Sequence, residues 1–221
     1  MIKAVLFDYD NTLGNREAYA YELYREIVET HHADLDSFDK ECITQSCMIL
    51  DQHGFVNKNY VKDSIRTLYG IELYPGDLNA FWEKNLGRYA ECFEDAKELL
   101  EKLKPKYTLA VITNGDSYGQ RSKLERSGIL PYFEEVFISG AVGITKPDPR
   151  IFLMAAEKLG VRPEECVFVG DGFRTDIRGA KKAGMNPVWM WPFSERKMRE
   201  DIPVIHRISE LETVLSTITD R

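Results

Sequence analysis

Two aspartates, Asp8 and Asp10, directly follow the short apolar run at residues 2–7. A carboxylate at the end of a buried strand is costly unless a cation or a hydrogen-bond donor pairs with it. A carboxylate in such a place can also act as a nucleophile. The pair therefore suggests a catalytic or metal-binding site, provided that other parts of the chain supply its partners.

Further polar residues follow the other predicted strands. They are Thr113, Asn114 and Gly115 after the second core strand, Lys146 in the loop beyond the third, and Gly170, Asp171 and Asp176 after the fourth. The carboxyl ends of the strands of an open parallel sheet lie along one edge, and ligands bind there. We therefore expect these separate segments to converge on one place.

Several carboxylates at one place repel each other, and their pKa values rise unless a cation neutralises them. Mg²⁺ prefers oxygen ligands and usually partners a substrate phosphate. The ammonium of Lys146, the hydroxyls of Thr12 and Thr113, and the amides near Asn114 could hold the phosphate oxygens. The residues thus predict Mg²⁺-dependent chemistry on a phosphate ester, with one aspartate as the nucleophile.

The elements predicted to position these residues are a first strand near the N-terminus and an alternation of helices and strands after residue 93. The predicted strands are 2–8, 107–113, 136–139, 166–169 and 187–191, and the predicted helices are 95–103, 118–126, 149–159 and 174–183. Such alternation indicates βαβ units and a parallel sheet.

Residues 15–92 have a different sequence pattern, with aromatic residues at helical spacing and no convincing strand. The predicted helices there are 17–30, 38–50, 61–69 and 78–89, the last with Asp77 as its N-cap. We predict an α/β core made of residues 1–14 and 93–221, with a helical insert (residues 15–92) between its two parts.

The composition of the 221 residues is that of a globular protein, with 43% hydrophobic residues and a formal charge of -7. This acidity argues against a nucleic-acid polymer or an anionic membrane as partner, since both need a basic face. The N-terminal apolar run is too short for a signal peptide, and no stretch approaches the roughly 20 residues of a membrane span. The four cysteines form no C-x-x-C motif and predict reduced packing residues. We expect a cytoplasmic monomer or homodimer.

The polar residues resemble, in chain order, the four motifs of the haloacid dehalogenase-like (HAD) hydrolase superfamily. They are Asp8-x-Asp10-x-Thr12, Thr113, Lys146 and Gly170-Asp171-x-x-x-x-Asp176. The resemblance covers the whole α/β core and implies a Rossmann-like parallel sheet. The insert is similar to the helical (C1-type) cap of the phosphatase branch.

The resemblance implies a role for each residue. Asp8 would take the phosphoryl group as an aspartyl-phosphate, and Asp10 would protonate the leaving oxygen and then activate water, a contribution of roughly 10²–10⁴-fold. Thr113 and the Asn114 amide would bind the phosphoryl group, and Lys146 would stabilise its charge. The Asp8 carboxylate, the Asp10 carbonyl and Asp171 would hold Mg²⁺. Asp176 would be a further metal residue or would support the site through water or through Lys146.

Other activities on the same fold stay open. An acid at position 10 favours phosphoryl transfer over a 2-haloacid dehalogenase, but a phosphomutase also keeps it. A non-catalytic binding protein would have no use for the crowded charges. The stretch at residues 112–116 resembles the group of pyrimidine nucleotidases and acylneuraminate 9-phosphatases. The expected substrate is a small phosphorylated metabolite of the nucleotide or sugar phosphate type.

Several side chains also have plain structural interpretations. Thr12 could cap the segment that follows it, and Asp176 could be an acid favoured at a helix N-terminus. Arg16 could face the substrate or simply begin an exposed helix. The aromatic residues of the insert, among them Tyr19 and Trp82, are interpreted as packing residues. His31, His32 and His53 are interpreted as surface residues.

Overall fold

A parallel sheet runs through the part of the chain that the computed structural model describes, residues 1–195, 198 and 201–219. Its strands are β1 (Ala4–Phe7), β2 (Thr108–Thr113), β3 (Glu135–Ile138), β4 (Cys166–Gly170), β5 (Asn186–Met190) and β6 (Val204–Ile205). Their order in the sheet is β3-β2-β1-β4-β5-β6, with every pair parallel. This topology confirms the predicted α/β, Rossmann-like fold.

Helices cover both faces of the sheet and form the insert. The α-helices of the described residues are α1 (Arg16–His31), α2 (Ser37–Asp51), α3 (Lys58–Tyr69), α4 (Leu78–Asn85), α5 (Ala96–Leu103), α6 (Ser117–Arg126), α7 (Ser139–Val142), α8 (Pro149–Lys158), α9 (Arg178–Lys182) and α10 (Leu211–Thr219). The first four lie in the insert, where a side chain at each N-cap accepts a backbone amide hydrogen bond. These caps satisfy amides that a helix start leaves unpaired, and Asp77 is among them as predicted.

Strand β1 is buried on both faces. Val5 and Phe7 belong to one apolar cluster, which extends into the insert, whereas Ala4 and Leu6 belong to a second cluster with α8 and α9. A parallel strand covered on both sides consists of a continuous apolar run. This is why the sequence alone predicted the strand.

The chain leaves and re-enters the core at adjacent points. Gly14 and Cys92 form an antiparallel bridge, and the amide of Phe93 donates a hydrogen bond of 2.9 Å to the carbonyl of Leu13. The predicted boundaries of the insert fall at this crossing. The division of the chain into two domains there stays a prediction.

Several elements differ from the sequence prediction, among them the short α7, which falls in a predicted loop. The helix predicted over 174–183 is a wide π-turn, Phe173–Ile177, followed by the short α9. The turn is wide because the amides of Asp176 and Ile177 both point to the carbonyl of Gly172, at 2.7 and 3.3 Å. The two-residue strand β6 and the C-terminal α10 were not predicted. β6 is too short to give a periodic signal.

The described residues contain no helix that is both long and apolar enough to cross a membrane. Cys42, Cys47, Cys92 and Cys166 are all free thiols. Cys47 and Cys166 are buried and the other two are half-buried, as expected of packing residues.

Candidate active site

The carboxyl ends of β1, β2 and β4 bring the predicted site residues to one edge of the sheet. Phe7 is in register with Val111 on one side and Val169 on the other, so the three strand ends lie side by side. A cavity of about 270 Å³ opens there. Its walls include Asp8, Asp10, Thr113, Asn114, Lys146, Asp171 and Asp176. The structure therefore brings together every predicted site residue except Thr12.

Thr12 is fully buried and does not line this cavity. Its amide donates to the carbonyl of Tyr9 at 3.2 Å, and its hydroxyl has no hydrogen-bond partner among the described residues. These contacts are compatible with a structural role for Thr12 in the turn after Asp8. Its predicted contact with phosphate stays a prediction.

Lys146 joins the carboxylates of the site. Its Nζ lies 2.8 Å from Oδ1 of Asp8 and 2.7 Å from Oδ1 of Asp176, and it donates to the carbonyl of Ile112 at 2.8 Å. Burial lowers the pKa of this ammonium, but the charges of Asp176 and Asp8 outweigh burial, and the net pKa is raised. Lys146 is therefore a fixed positive charge beside Asp8.

Asn114 positions the loop that carries Lys146. The Asn114 side chain accepts a hydrogen bond from the Lys146 amide at 2.9 Å and donates one to the Lys146 carbonyl at 3.1 Å. This reciprocal pair ties the end of β2 to a residue 32 positions later in the chain. Asn114 thus places the ammonium of Lys146 as well as lining the cavity.

Three buried carboxylates, those of Asp8, Asp171 and Asp176, offer oxygens within 4.8 Å of one another. Burial raises the pKa of Asp8 to about 6, with repulsion from Asp176 adding to the effect and Lys146 opposing it. Burial and the charges of Asp176 and Asp8 also raise the pKa of Asp171. Asp176 already accepts the Gly172 amide at 2.9 Å and pairs with Lys146.

The donor set of this cluster fits a hard divalent cation. Asp8 and Asp171 supply carboxylate oxygens whose repulsion such a cation would relieve. The Trp189 indole fixes the segment, donating to the carbonyl of Asp171 at 2.8 Å. Asp176 belongs to the same group, and one of its oxygens accepts the Gly172 amide while the other lies 2.7 Å from Lys146 Nζ.

Asp10 sits in a different electrostatic environment from Asp8. Lys123 Nζ lies 2.8 Å from both of its carboxylate oxygens, and Gln120 Nε2 donates at 3.0 Å. The Tyr19 hydroxyl of the insert also donates to it. Burial raises the pKa of Asp10, but Lys123 and then Arg16 outweigh it and lower the pKa to about 2. Asp10 is therefore ionised in this arrangement.

Gln120 connects Asp10 to the carboxyl end of β2. Its Nε2 lies 2.5 Å from the hydroxyl oxygen of Thr113 and 2.8 Å from the carbonyl of Asn114. Because the Thr113 oxygen accepts from Gln120, its own proton is free to be donated to an anionic oxygen in the cavity.

A turn of the insert covers the cavity. His53, Gly54 and Phe55 contribute to its walls, and the carbonyl of His53 accepts a hydrogen bond of 3.0 Å from the Asn11 side chain. The His53 ring stacks on Phe193 of the core, with ring centroids 3.7 Å apart. His53 is thus a partly exposed residue, as the surface interpretation has it, but its ring also joins the insert to the core above the site.

Gln120, Lys123 and Tyr19 were not predicted as site residues. Gln120 and Lys123 are three positions apart on α6 and so share one helix face. This spacing, on a helix that directly follows the polar end of β2, is the sequence feature that could have indicated them. Tyr19 packs in the core as predicted, but its hydroxyl also reaches Asp10.

Comparisons with known proteins point to one family. A model of the haloacid dehalogenase-like hydrolases matches residues 2–184. The glyceraldehyde 3-phosphate phosphatase of Methanopyrus kandleri is 33% identical over 84% of this chain and 82% of its own length. The N-acylneuraminate-9-phosphatase of Homo sapiens is 30% identical over 86% of this chain and 82% of its own. The HAD-hydrolase YfnB of Bacillus subtilis, solved with bound magnesium, has a TM-score of 0.73 at 25% identity, covering 97% of this chain and 99% of that one.

Proposed function

The chain belongs to the haloacid dehalogenase-like hydrolase family, and we propose that it is a Mg²⁺-dependent phosphatase acting on a small phosphate monoester through an aspartyl-phosphate. Relatives named as phosphatases of small phosphorylated metabolites support this substrate class. The observation that carries the proposal is the Asp8 carboxylate, which lines the cavity 2.8 Å from Lys146 and shares that cavity with Asp10 and Thr113.

Asp8 is the proposed nucleophile. One of its carboxylate oxygens attacks the phosphorus, the bond between phosphorus and the ester oxygen breaks, and an aspartyl-phosphate and an alcohol result. Water then attacks the phosphorus, which restores the carboxylate and releases inorganic phosphate. Lys146 holds Asp8 in place, and the Thr113 hydroxyl donates to a phosphoryl oxygen.

The Asp8 carboxylate, the main-chain carbonyl of Asp10 and the Asp171 carboxylate would hold Mg²⁺. When bound, the ion supplies the positive charge that lets a phosphate dianion approach a group of carboxylates. Lys146 neutralises only part of the negative charge of Asp8, Asp171 and Asp176, which is why we propose a metal in addition.

Asp10 is the proposed proton carrier. In the arrangement seen, its carboxylate is ionised and can accept a proton from the attacking water in the second step. In the first step the leaving oxygen needs a proton, and we propose that the pair of Asp10 and Lys123 supplies it. The ammonium nitrogen of Lys123 lies 2.8 Å from both carboxylate oxygens of Asp10, so a proton can pass from Lys123 through Asp10. The insert would act as the cap over this chemistry.

Release of inorganic phosphate from 4-nitrophenyl phosphate tests the proposal. We expect turnover with Mg²⁺, loss of turnover on chelation, and recovery when Mg²⁺ is returned. Asp8→Asn is expected to lower kcat by at least about 10³-fold. Asp36→Asn is the matched control, because it makes the same substitution at the N-cap of α2, where asparagine caps equally well.

Full turnover in Asp8→Asn would contradict the proposed nucleophile. Transfer of the phosphoryl group to a second hydroxyl of a sugar phosphate, without release of phosphate, would identify a phosphomutase instead. Chloride release from a 2-haloacid without phosphatase activity would identify a dehalogenase.

A further inference from the structure

A second cavity adjoins the catalytic one on the side of the insert. It has a volume of about 200 Å³ and lies between α3 and α4 of the insert and α6 of the core. Asp10, Arg16, Gly54 and Asn114 line both cavities. A group attached to the ester oxygen of a phosphate bound at Asp8 would therefore extend past Asp10 into this space.

Three buried cations, Arg16, Lys58 and Lys123, line the second cavity and are 4%, 4% and 7% exposed. Two buried or half-buried carboxylates pair with them. Asp51 contacts Arg16 at 2.6 Å and also contacts Lys58, whereas Asp10 pairs with Lys123. One positive charge is thus left in excess. Burial lowers the pKa of Lys58 to about 8, with the nearby Arg16 adding to the effect and Asp51 opposing it.

The Arg16 guanidinium has hydrogen-bonding capacity left. Its Nη1 donates to Asp51, and no other acceptor for it is found among the described residues. Gly54 packs directly against the guanidinium, since a Cβ at that position would lie 2.6 Å from Nε. The Trp82 ring lies beside Arg16 and Lys58, at 5.8 and 5.3 Å from its centroid. The cations are thus held in place around an open space.

Two acidic residues, Glu83 and Asp116, also line this cavity, but both are exposed at its rim. Solvent screens exposed charges far more than buried ones. Each also has a partner, since Glu83 accepts from Asn79 at 2.9 Å and Asp116 caps α6. The buried floor of the cavity therefore keeps its positive excess.

We infer that this second cavity binds a carboxylate carried by the leaving group of the substrate, which makes the preferred substrate the phosphate monoester of a small hydroxy or amino acid. A planar carboxylate suits the guanidinium fork, and it supplies the negative charge that the buried cations lack. A volume of about 200 Å³ lies below the usual range of ligand pockets, roughly 300–1,000 Å³, and so favours a leaving group of three or four carbons over a nucleoside. This inference rests on the proposed phosphatase function.

A matched pair of substrates provides the test. 3-Phosphoglycerate and glycerol 3-phosphate share one three-carbon frame, and a carboxylate in the first replaces a hydroxymethyl group in the second. We expect the wild-type protein to hydrolyse 3-phosphoglycerate with a kcat/KM about 10- to 100-fold higher, as expected for a hydrogen-bonded charge. Free glycerate should inhibit hydrolysis of 4-nitrophenyl phosphate competitively, whereas glycerol should not.

Two variants locate the effect. Lys58→Met is expected to reduce the preference for 3-phosphoglycerate by about tenfold or more and to weaken inhibition by glycerate. Lys84→Met is the matched control, because Lys84 lies on α4 of the same insert, is exposed and lines neither cavity. The ratio of the two kcat/KM values is the readout. It cancels a general loss of active protein, and the wild-type preference tests the inference even if a variant fails to fold.

Each outcome has a distinct meaning. A wild-type protein that treats the two substrates equally, or that prefers glycerol 3-phosphate, overturns the carboxylate site. An equal loss for both substrates in Lys58→Met also overturns it, since the cations would then serve the phosphoryl group. Failure of the phosphatase proposal looks different, because 4-nitrophenyl phosphate would then not be hydrolysed either.

Discussion

Two clusters of buried charge lie on either side of Asp10, and their excess charges have opposite signs. In the cluster at the strand ends, three carboxylates face the single ammonium of Lys146. In the cluster at the insert, three cations face the carboxylates of Asp51 and Asp10. Buried excess charge is costly until a ligand neutralises it. This difference in sign is the reason why we propose a cation and a phosphoryl group on one side and an anion on the other.

Removing the ammonium of the first cluster gives the largest expected effect. In Lys146→Met, Asp8 and Asp176 lose their buried partner, which costs about 3–5 kcal/mol of unfolding free energy. We also expect kcat to fall by about 10³-fold or more, since Asp8 loses the group that positions it. Phosphate release and urea unfolding measure the two effects.

Lys158→Met is the control for that variant, because Lys158 is 61% exposed and its ion pair with Glu135 spans 3.5 Å. Its unfolding free energy should change by no more than about 0.5 kcal/mol. Wild-type turnover and stability in Lys146→Met would show that the first cluster does not depend on its lysine.

Removing the shared carboxylate of the second cluster should enlarge its positive excess. Asp51 is 1% exposed and contacts Arg16, Lys58 and the Tyr24 hydroxyl. In Asp51→Asn, two buried cations face each other, and we expect a loss of about 3 kcal/mol in urea unfolding. Added 3-phosphoglycerate should restore more stability to this variant than to the wild type. A variant as stable as the wild type would show that the cations are well solvated.

The first cluster should respond to Mg²⁺ in a pH-dependent way. The pKa of Asp8 is about 6 in the folded protein against an ordinary value of 3.8, so the folded state binds more protons between those values. The stability that Asp8 contributes is therefore present at low pH and is lost as the pH rises through about 6. Mg²⁺ would take the place of the proton.

Thermal unfolding with and without Mg²⁺ checks this linkage. At a concentration about 100-fold above Kd, the ion should add ~2.7 kcal/mol near pH 7.5 and clearly less near pH 5. An increase in Tm that is equal at both pH values would mean that Asp8 and Asp171 do not exchange protons for the metal. The Asp36→Asn protein serves as control.

Lys123 pairs with Asp10, which lines both cavities, and its removal should give the smallest of the expected changes in relative rate. If it supplies the proton for the leaving oxygen through Asp10, Lys123→Met should slow hydrolysis of an alkyl phosphate by about tenfold more than that of 4-nitrophenyl phosphate, whose leaving group needs no proton. The control Arg121→Met changes an exposed residue of the same helix. An equal loss for both esters would limit Lys123 to a structural role.

The two clusters differ in how far the sequence could predict them. The first follows strand ends, and a parallel sheet must bring such ends together, so Asp8, Lys146 and Asp171 were predicted from the alternation alone. The motifs added the family, which the comparisons confirm. Thr12 is buried and does not line the cavity, and its predicted contact with phosphate stays a prediction.

The second cluster could not be predicted in the same way. Arg16, Lys58 and Lys123 come from three helices whose mutual packing no local pattern specifies. The position of Arg16 in the sequence fitted an exposed helix start as well as a substrate contact. No sequence feature marked Lys58 as a site residue. The contact of the His53 ring with Phe193 was not predicted because it joins residues 140 positions apart, which only the packing of the insert on the core reveals.

The covalent state of Asp8 during turnover tests the central claim most directly. The wild-type protein is mixed with Mg²⁺ and 4-nitrophenyl phosphate, and the reaction is quenched in acid. The protein is then digested, and the masses of its peptides are measured by mass spectrometry. The account predicts a phosphoryl group on the peptide that contains Asp8, absent when Asp8→Asn is treated in the same way. Steady turnover with a phosphoryl group on another residue would contradict it.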